Sequence, residues 1–206
     1  MYYTGVGSRE TPVEICSIME DAAYRLARIG AVLRSGKAKG SDFSFQKGVE
    51  RYVIESGCSH WASLAEIYIP NKYFGERSLK DYWDMDLDTI DYMFEQEKLS
   101  HEILSTVHNA DYLRDERQSA YRLHRRNIHQ VIGPNLEMPS PSKFCIYYCP
   151  ETRTGNPKGG TATAVKLAKQ YGTRTLNLLH EENHATLEKF IQSLEVKRGI
   201  RSEISQ

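Results

Sequence analysis

Nowhere in its 206 residues does the sequence hold an uninterrupted apolar run of bilayer-spanning length, so a membrane-embedded chain is not expected. The start, MYYTGVGSRETP, has no basic segment leading into an apolar one, from which a cytoplasmic location is expected. The four cysteines, Cys16, Cys58, Cys145 and Cys149, form no CxxC pair. Free, largely buried thiols of a reducing compartment are expected. Neither sign of charge is in excess, with 27 Lys+Arg against 27 Asp+Glu. No global field therefore draws the chain to nucleic acid or to an acidic membrane surface, and any anion site must be local. Internal repeats and low-complexity tracts are absent as well.

What the sequence does contain is a repeated phrase of short strand, glycine-rich loop and helix. MYYTGVGSRETP runs apolar to Val6 and turns through Gly7, Ser8 and Arg9. It then offers Thr11, Pro12 and Glu14 as a capping box with proline at the first helical position. Ile15, Ile18, Met19, Ala22, Leu26 and Ile29 recur at helical spacing, and Gly30 supplies a stop. AVLRSG reads as the second strand, followed by a helix with Phe45, Val49, Tyr52 and Val53 on one face. AEIYIP, KFCIYYC and RTLNLL read as the third, fourth and fifth strands, with the helix TAVKLAKQYG between the last two. Strands alternating with helices predict an α/β domain, a Rossmann-like three-layer fold with a mainly parallel sheet. Residues 71–133 break the rhythm with an acidic, aromatic stretch and then an arginine-rich one. Both read as mainly helical, an insertion between the third and fourth strands within a single domain spanning 1–206. Their charges are expected to be solvated or paired with each other.

In a parallel sheet the loops after Val6, Leu33 and Cys149 gather at one edge. Glycine lets backbone N–H groups approach a ligand closely, and each following helix start adds unpaired donors and partial positive charge. An anion is expected there, phosphate first, with Arg9, Lys37 or Lys39 adding charge. The order of residues is not a P-loop, because no GK[ST] closes the glycine run.

TGVGSRETP, LRSGKAKGSDFSFQKG, AEIYIP, RLHRRNIHQVIG and GGTATAVKLAKQYG, in that order, together resemble the SLOG superfamily, in its DNA-processing protein A-like branch with small members in bacterial viruses. The resemblance implies nucleotide-binding glycine loops. Carried over, it implies a ligand site made of Gly7, Ser8 and Arg9; of Ser35, Gly36, Ala38, Gly40 and Asp42; of Arg126 and Asn127; and of Gly159, Gly160, Thr161 and Thr163, to which Lys37 of the second loop is added as a phosphate ligand by its charge. The related cytokinin-activating phosphoribohydrolases carry a glutamate just after their glycine-threonine loop. Here that region holds Thr163, Ala164, Val165 and Lys166, and none is a carboxylate. No catalytic residue is assigned, and no cofactor is expected. Without the resemblance, Arg122, Arg126 and His129 read as a solvated basic helix face, and Asp42 as a first-turn acid complementing its own helix.

HEENH, residues 180–184, matches the HExxH zinc signature. The helix following it begins only near Asn183, which leaves His180 in a loop, and no metal is expected. The remaining histidines, His60, His101, His108, His124 and His129, show no ligand spacing. Tyr3, Tyr73, Phe74 and Trp83 are candidates to stack on a base, although core positions are the commoner fate of aromatics. Three functions follow. The first is binding of a phosphorylated nucleotide-derived molecule, to sense or sequester it. The second is a nucleotide N-glycosidase. The third is a single-strand DNA binder, against which neutral charge and the acidic insertion count. A homo-oligomer is expected, with no membrane partner.

Overall fold

The computed structural model describes residues 1–75 and 83–200. Residues 76–82, which fall within the expected insertion, lie outside it, as do 201–206. Six parallel strands form one sheet in the order β4-β3-β2-β1-β5-β6. They are β1 (Tyr2–Gly7), β2 (Val32–Ser35), β3 (Ala65–Ile69), β4 (Asp84–Asp86), β5 (Phe144–Tyr148) and β6 (Arg174–Asn177). The helices are α1 (Val13–Arg28), α2 (Ser41–Ser56), α3 (Leu87–Phe94), α4 (Glu97–Ser105), α5 (Ala110–Glu116), α6 (Gln118–Ile132), α7 (Thr161–Gln170) and α8 (Glu182–Lys197). The α/β, Rossmann-like architecture expected from the sequence is the one found.

Alternation along the strands sends side chains to two cores. Tyr3, Leu33, Ile67, Phe144 and Ile146 pack under α1, α2 and α8, whereas Val6, Cys145 and Tyr147 pack under α4 to α7. On the first face, α1 and α2 approach so closely that a Cβ on Gly48 would overlap the Glu20 carbonyl.

Three expectations need correction. The segment DMD, residues 84–86, is not helical but forms the edge strand β4 against β3. The capping box does not form: α1 starts at Val13 behind Pro12. Thr11 instead turns its hydroxyl to the Ser8 carbonyl at 2.7 Å and to Ser41 Oγ at 2.6 Å. Third, α6 has no solvated basic face. Arg125, Arg126, Asn127, His129 and Gln130 are all buried, because α6 lies directly on the sheet. Its cations are met by acids: Arg125 donates to Asp91 and Arg122 to Asp88 of α3, both at 2.7 Å, and Arg126 to Asp42 of α2 at 3.0 Å. The pairing expected between the acidic and basic stretches is therefore what lets Arg125 be buried, and Asp42 does the same for Arg126.

His129 of α6 is wholly buried, lies against Tyr68, and donates from Nδ1 to the Gly133 carbonyl at 2.9 Å. Burial pushes its imidazole down to about 4, against 6.5 for an ordinary histidine, with Arg125 and Arg34 nearby adding to the effect. Between those two values the unfolded chain binds a proton that the folded chain refuses. Stability present above about pH 6.5 should therefore be lost as the pH falls towards 4, by about 3 kcal/mol for this residue. Urea unfolding at neutral and mildly acidic pH should show the loss, and His129→Phe should flatten it; an equally steep slope in the variant would point elsewhere.

Candidate functional site

A cleft of about 520 Å³ opens over the carboxyl ends of β1 and β5. These strands are neighbours in the sheet, with Gly7 opposite Tyr148, yet the chain leaves them in opposite directions. After β1 it crosses to β2 through α1 on one face, and after β5 it crosses to β6 through α7 on the other. A crevice at such a switch point is where open α/β sheets bind ligands.

Its rim on the β1 side is Ser8, Arg9 and Glu10. Opposite lie Lys158, Gly159, Gly160 and Thr161. Among the described residues the amides of Gly159, Gly160 and Thr161 find no acceptor, and no side chain caps α7. Gly159 has φ +65°, a conformation that favours glycine. The start of α2 is different. Its Ser41 amide donates to the Ser8 carbonyl and its Phe43 amide to the Ala38 carbonyl. Gly40, at φ +81°, lies so close to loop 1 that a Cβ would meet the Ser8 and Arg9 carbonyls. The second glycine loop is thus used mainly to fasten α2 to the first loop, and α7 carries the open helix start.

The floor is an ion pair. Arg126 Nη1 donates to Asp42 Oδ2 at 3.0 Å, and both side chains are nearly inaccessible. The Gly7 amide donates to Asp42 Oδ1 at 3.1 Å, and Gln130 Nε2 reaches Oδ2 at 3.5 Å. Burial pushes the Asp42 carboxyl up, offset in part by the guanidinium and the Gly7 amide, and it pushes Arg126 down. Gly36 makes the arrangement possible, since a Cβ there would overlap the Arg126 guanidinium and the Gln130 amide. The Nε of Arg126 is buried without an acceptor among the described residues.

Of the residues named as a ligand site, Gly7, Ser8, Arg9, Ala38, Asp42, Arg126, Asn127, Gly159, Gly160 and Thr161 line this one cleft. The other expected ligands do not line it. Ser35 is buried and donates to the Gly5 carbonyl at 2.6 Å. Gly36 and Gly40 serve packing. Lys37, at φ +61°, is buried and pairs with Asp84 of β4. Thr163 lies beneath the cleft, its hydroxyl between two imidazoles. Tyr3 and Trp83 belong to the core, and Phe74 lies beside Arg126. The HExxH histidines diverge: His180 pairs with Glu151 at 3.2 Å, and His184 reaches the Leu178 carbonyl at 2.9 Å. Among the described residues no cluster of three or more metal-ligating side chains occurs, and no helix is long and apolar enough to cross a membrane.

Sequence reasoning missed the α6 wall, where Leu123, His124 and Gln130 face the cleft beside Asn127. Asn127 Nδ2 donates to the Gly160 carbonyl at 2.8 Å and so joins α6 to the start of α7. The helical spacing of His124 and Asn127 was the available signal. Cys149 also lines the cleft, and burial pushes its thiol up.

No family model matches the chain, and no curated protein matches it. Among solved structures it superposes on DNA processing protein A from Helicobacter pylori with a TM-score of 0.50, over 96% of this chain and 81% of that one. The fold resembles that of DNA processing protein A. Identity between the two is 12%, so the likeness concerns architecture. That structure describes a single-stranded DNA binding mode of the Helicobacter protein.

Proposed function

We propose that the cleft binds a phosphorylated nucleotide-derived molecule, to sense or sequester it. The observation that carries this reading is the open start of α7, where three amides without an acceptor among the described residues belong to residues lining a switch-point cleft whose rim also bears Arg9 and Lys158. Amides and helix dipole together favour an anion. With Asp42 and Arg126 cancelling, the remaining formal charges on the lining are Arg9, Lys158 and Glu10, which suits one or two phosphates better than a polyphosphate. The volume suits one nucleotide. Residues 71–133 are read as an insertion of a single SLOG-type domain.

The N-glycosidase reading is weaker: Asp42, the carboxylate of the cleft that would have to stabilise an oxocarbenium-like centre, has both oxygens already engaged. Single-stranded DNA is the second reading, favoured by the Helicobacter protein's own ligand and architecture. Mass spectrometry of small molecules released by heating the purified protein tests the first. A nucleotide recovered near stoichiometry is expected. Release of nothing, from protein that also fails to bind added nucleotides, would count against it.

A further inference from the structure

Two histidines share one hydroxyl at the back of the cleft. His124 Nδ1, from α6, lies 2.6 Å from Thr163 Oγ1 of α7, and His108 Nε2, from the turn before α5, lies 2.8 Å from the same atom. Their rings are 4.4 Å apart and tilted by 54°. Thr163 is wholly buried, and both rings are half-buried. His124 lines the cleft, and among the described residues its Nε2 has no partner.

A hydroxyl has one proton to give and two lone pairs to offer. Thr163 can donate to at most one of the two rings, so at least one ring must donate to it. When His108 donates to Thr163 and Thr163 donates to His124 Nδ1, His124 carries its proton on Nε2 and offers the cleft a donor. When the chain runs the other way, Nε2 is an acceptor. Either way the imidazole is neutral: burial and the neighbouring His108 and Arg126 push His124 down to about 4, and burial with Lys166 pushes His108 down too. A neutral imidazole adds no charge for a phosphate. The phosphate donors lie elsewhere, at the start of α7, and Asn127 marks the junction. His124 precedes Asn127 by three residues, about 4.5 Å along α6. The cleft is therefore divided into an anion end and a neutral, hydrogen-bonding end roughly one helical turn away.

Resting on the nucleotide reading above, we propose that His124 Nε2 recognises the uncharged part of a ribosyl phosphate, a sugar hydroxyl or a base ring nitrogen, with Thr163 and His108 as positioning residues that fix its tautomer.

Calorimetry with inorganic phosphate, ribose 5-phosphate and the four ribonucleoside 5′-monophosphates tests this on wild type, His124→Phe and His124→Gln. His124→Phe should weaken the nucleotide it binds roughly two- to tenfold, the range of one neutral hydrogen bond, and leave inorganic phosphate unchanged. His124→Gln, which keeps a polar head near Nε2, should restore part of the loss. A parallel loss for ribose 5-phosphate places the contact on the sugar, and its absence places it on the base. Imidazole nitrogen shifts of His124 should move on nucleotide binding and change in Thr163→Val, an effect that packing alone does not produce. Wild-type nucleotide affinity in folded His124→Phe, or an equal loss of inorganic phosphate, would overturn the proposal while the phosphate site stands. Failure of wild type to bind any of the panel would remove both.

Discussion

Replacing Arg126 with methionine is expected to destabilise the protein by about 3–5 kcal/mol, the cost of leaving a buried carboxylate without its partner. For a chain of this length that is a fall in Tm on the order of 10 °C. Arg126 and Asp42 are both buried, their atoms are 3.0 Å apart, and Asp42 also holds the Gly7 amide. The pair thus ties α2, α6 and the loop after β1 together beneath the cleft. Methionine keeps much of the stem that packs in place and removes only the charge. Adding Asp42→Asn to it should return most of the stability, because an amide oxygen still accepts from Gly7 and no charge is left buried. Urea unfolding of the two single variants and the double variant measures the coupling. Strictly additive losses would mean that packing, and not the ion pair, sets the cost.

Gly160→Asp should do the reverse, leaving the fold intact and removing the ligand. Gly160 has right-handed helical dihedrals, φ −63° and ψ −32°, that any residue adopts. A Cβ there meets nothing nearer than Asn127 Nδ2 at 3.9 Å. An acid at a helix start is also compatible with the dipole. The carboxylate would occupy the space in front of the Gly159, Gly160 and Thr161 amides and repel a phosphate. We expect affinity for nucleotide to fall on the order of 100-fold or more, with Tm within a few degrees of wild type. Undiminished affinity in the folded variant would show that the anion binds elsewhere.

The fold was legible wherever a segment had to bury one face. β1, β2, β3, β5 and β6 carry short apolar runs, α1 repeats its apolar residues at helical spacing, and glycines mark the loops. β4 was not legible, because Asp84, Met85 and Asp86 contain no such run and their pairing with β3 is a tertiary event. α6 misled for the opposite reason. Its arginines and histidines look like a solvated face, and only their distant partners, Asp42, Asp88 and Asp91, make burial tolerable. The glycine loops gave the location of the cleft, but not the division of labour within it. Lys37 and Lys158 have the same chemistry and similar settings in the sequence. One is turned to Asp84, and the other lines the cleft. His124 was passed over because its partner hydroxyl lies 39 residues away.

The central claim is that the α7 end of the cleft holds one or two phosphates of a small nucleotide. It is tested most directly by titrating wild-type protein with a nucleoside monophosphate and with a single-stranded oligonucleotide between about 50 and about 200 mM salt. Saturable mononucleotide binding with a shallow salt dependence is the predicted result. Tight oligonucleotide binding that falls steeply, with a log–log slope of about 0.7 per neutralised phosphate, and no mononucleotide binding would contradict it.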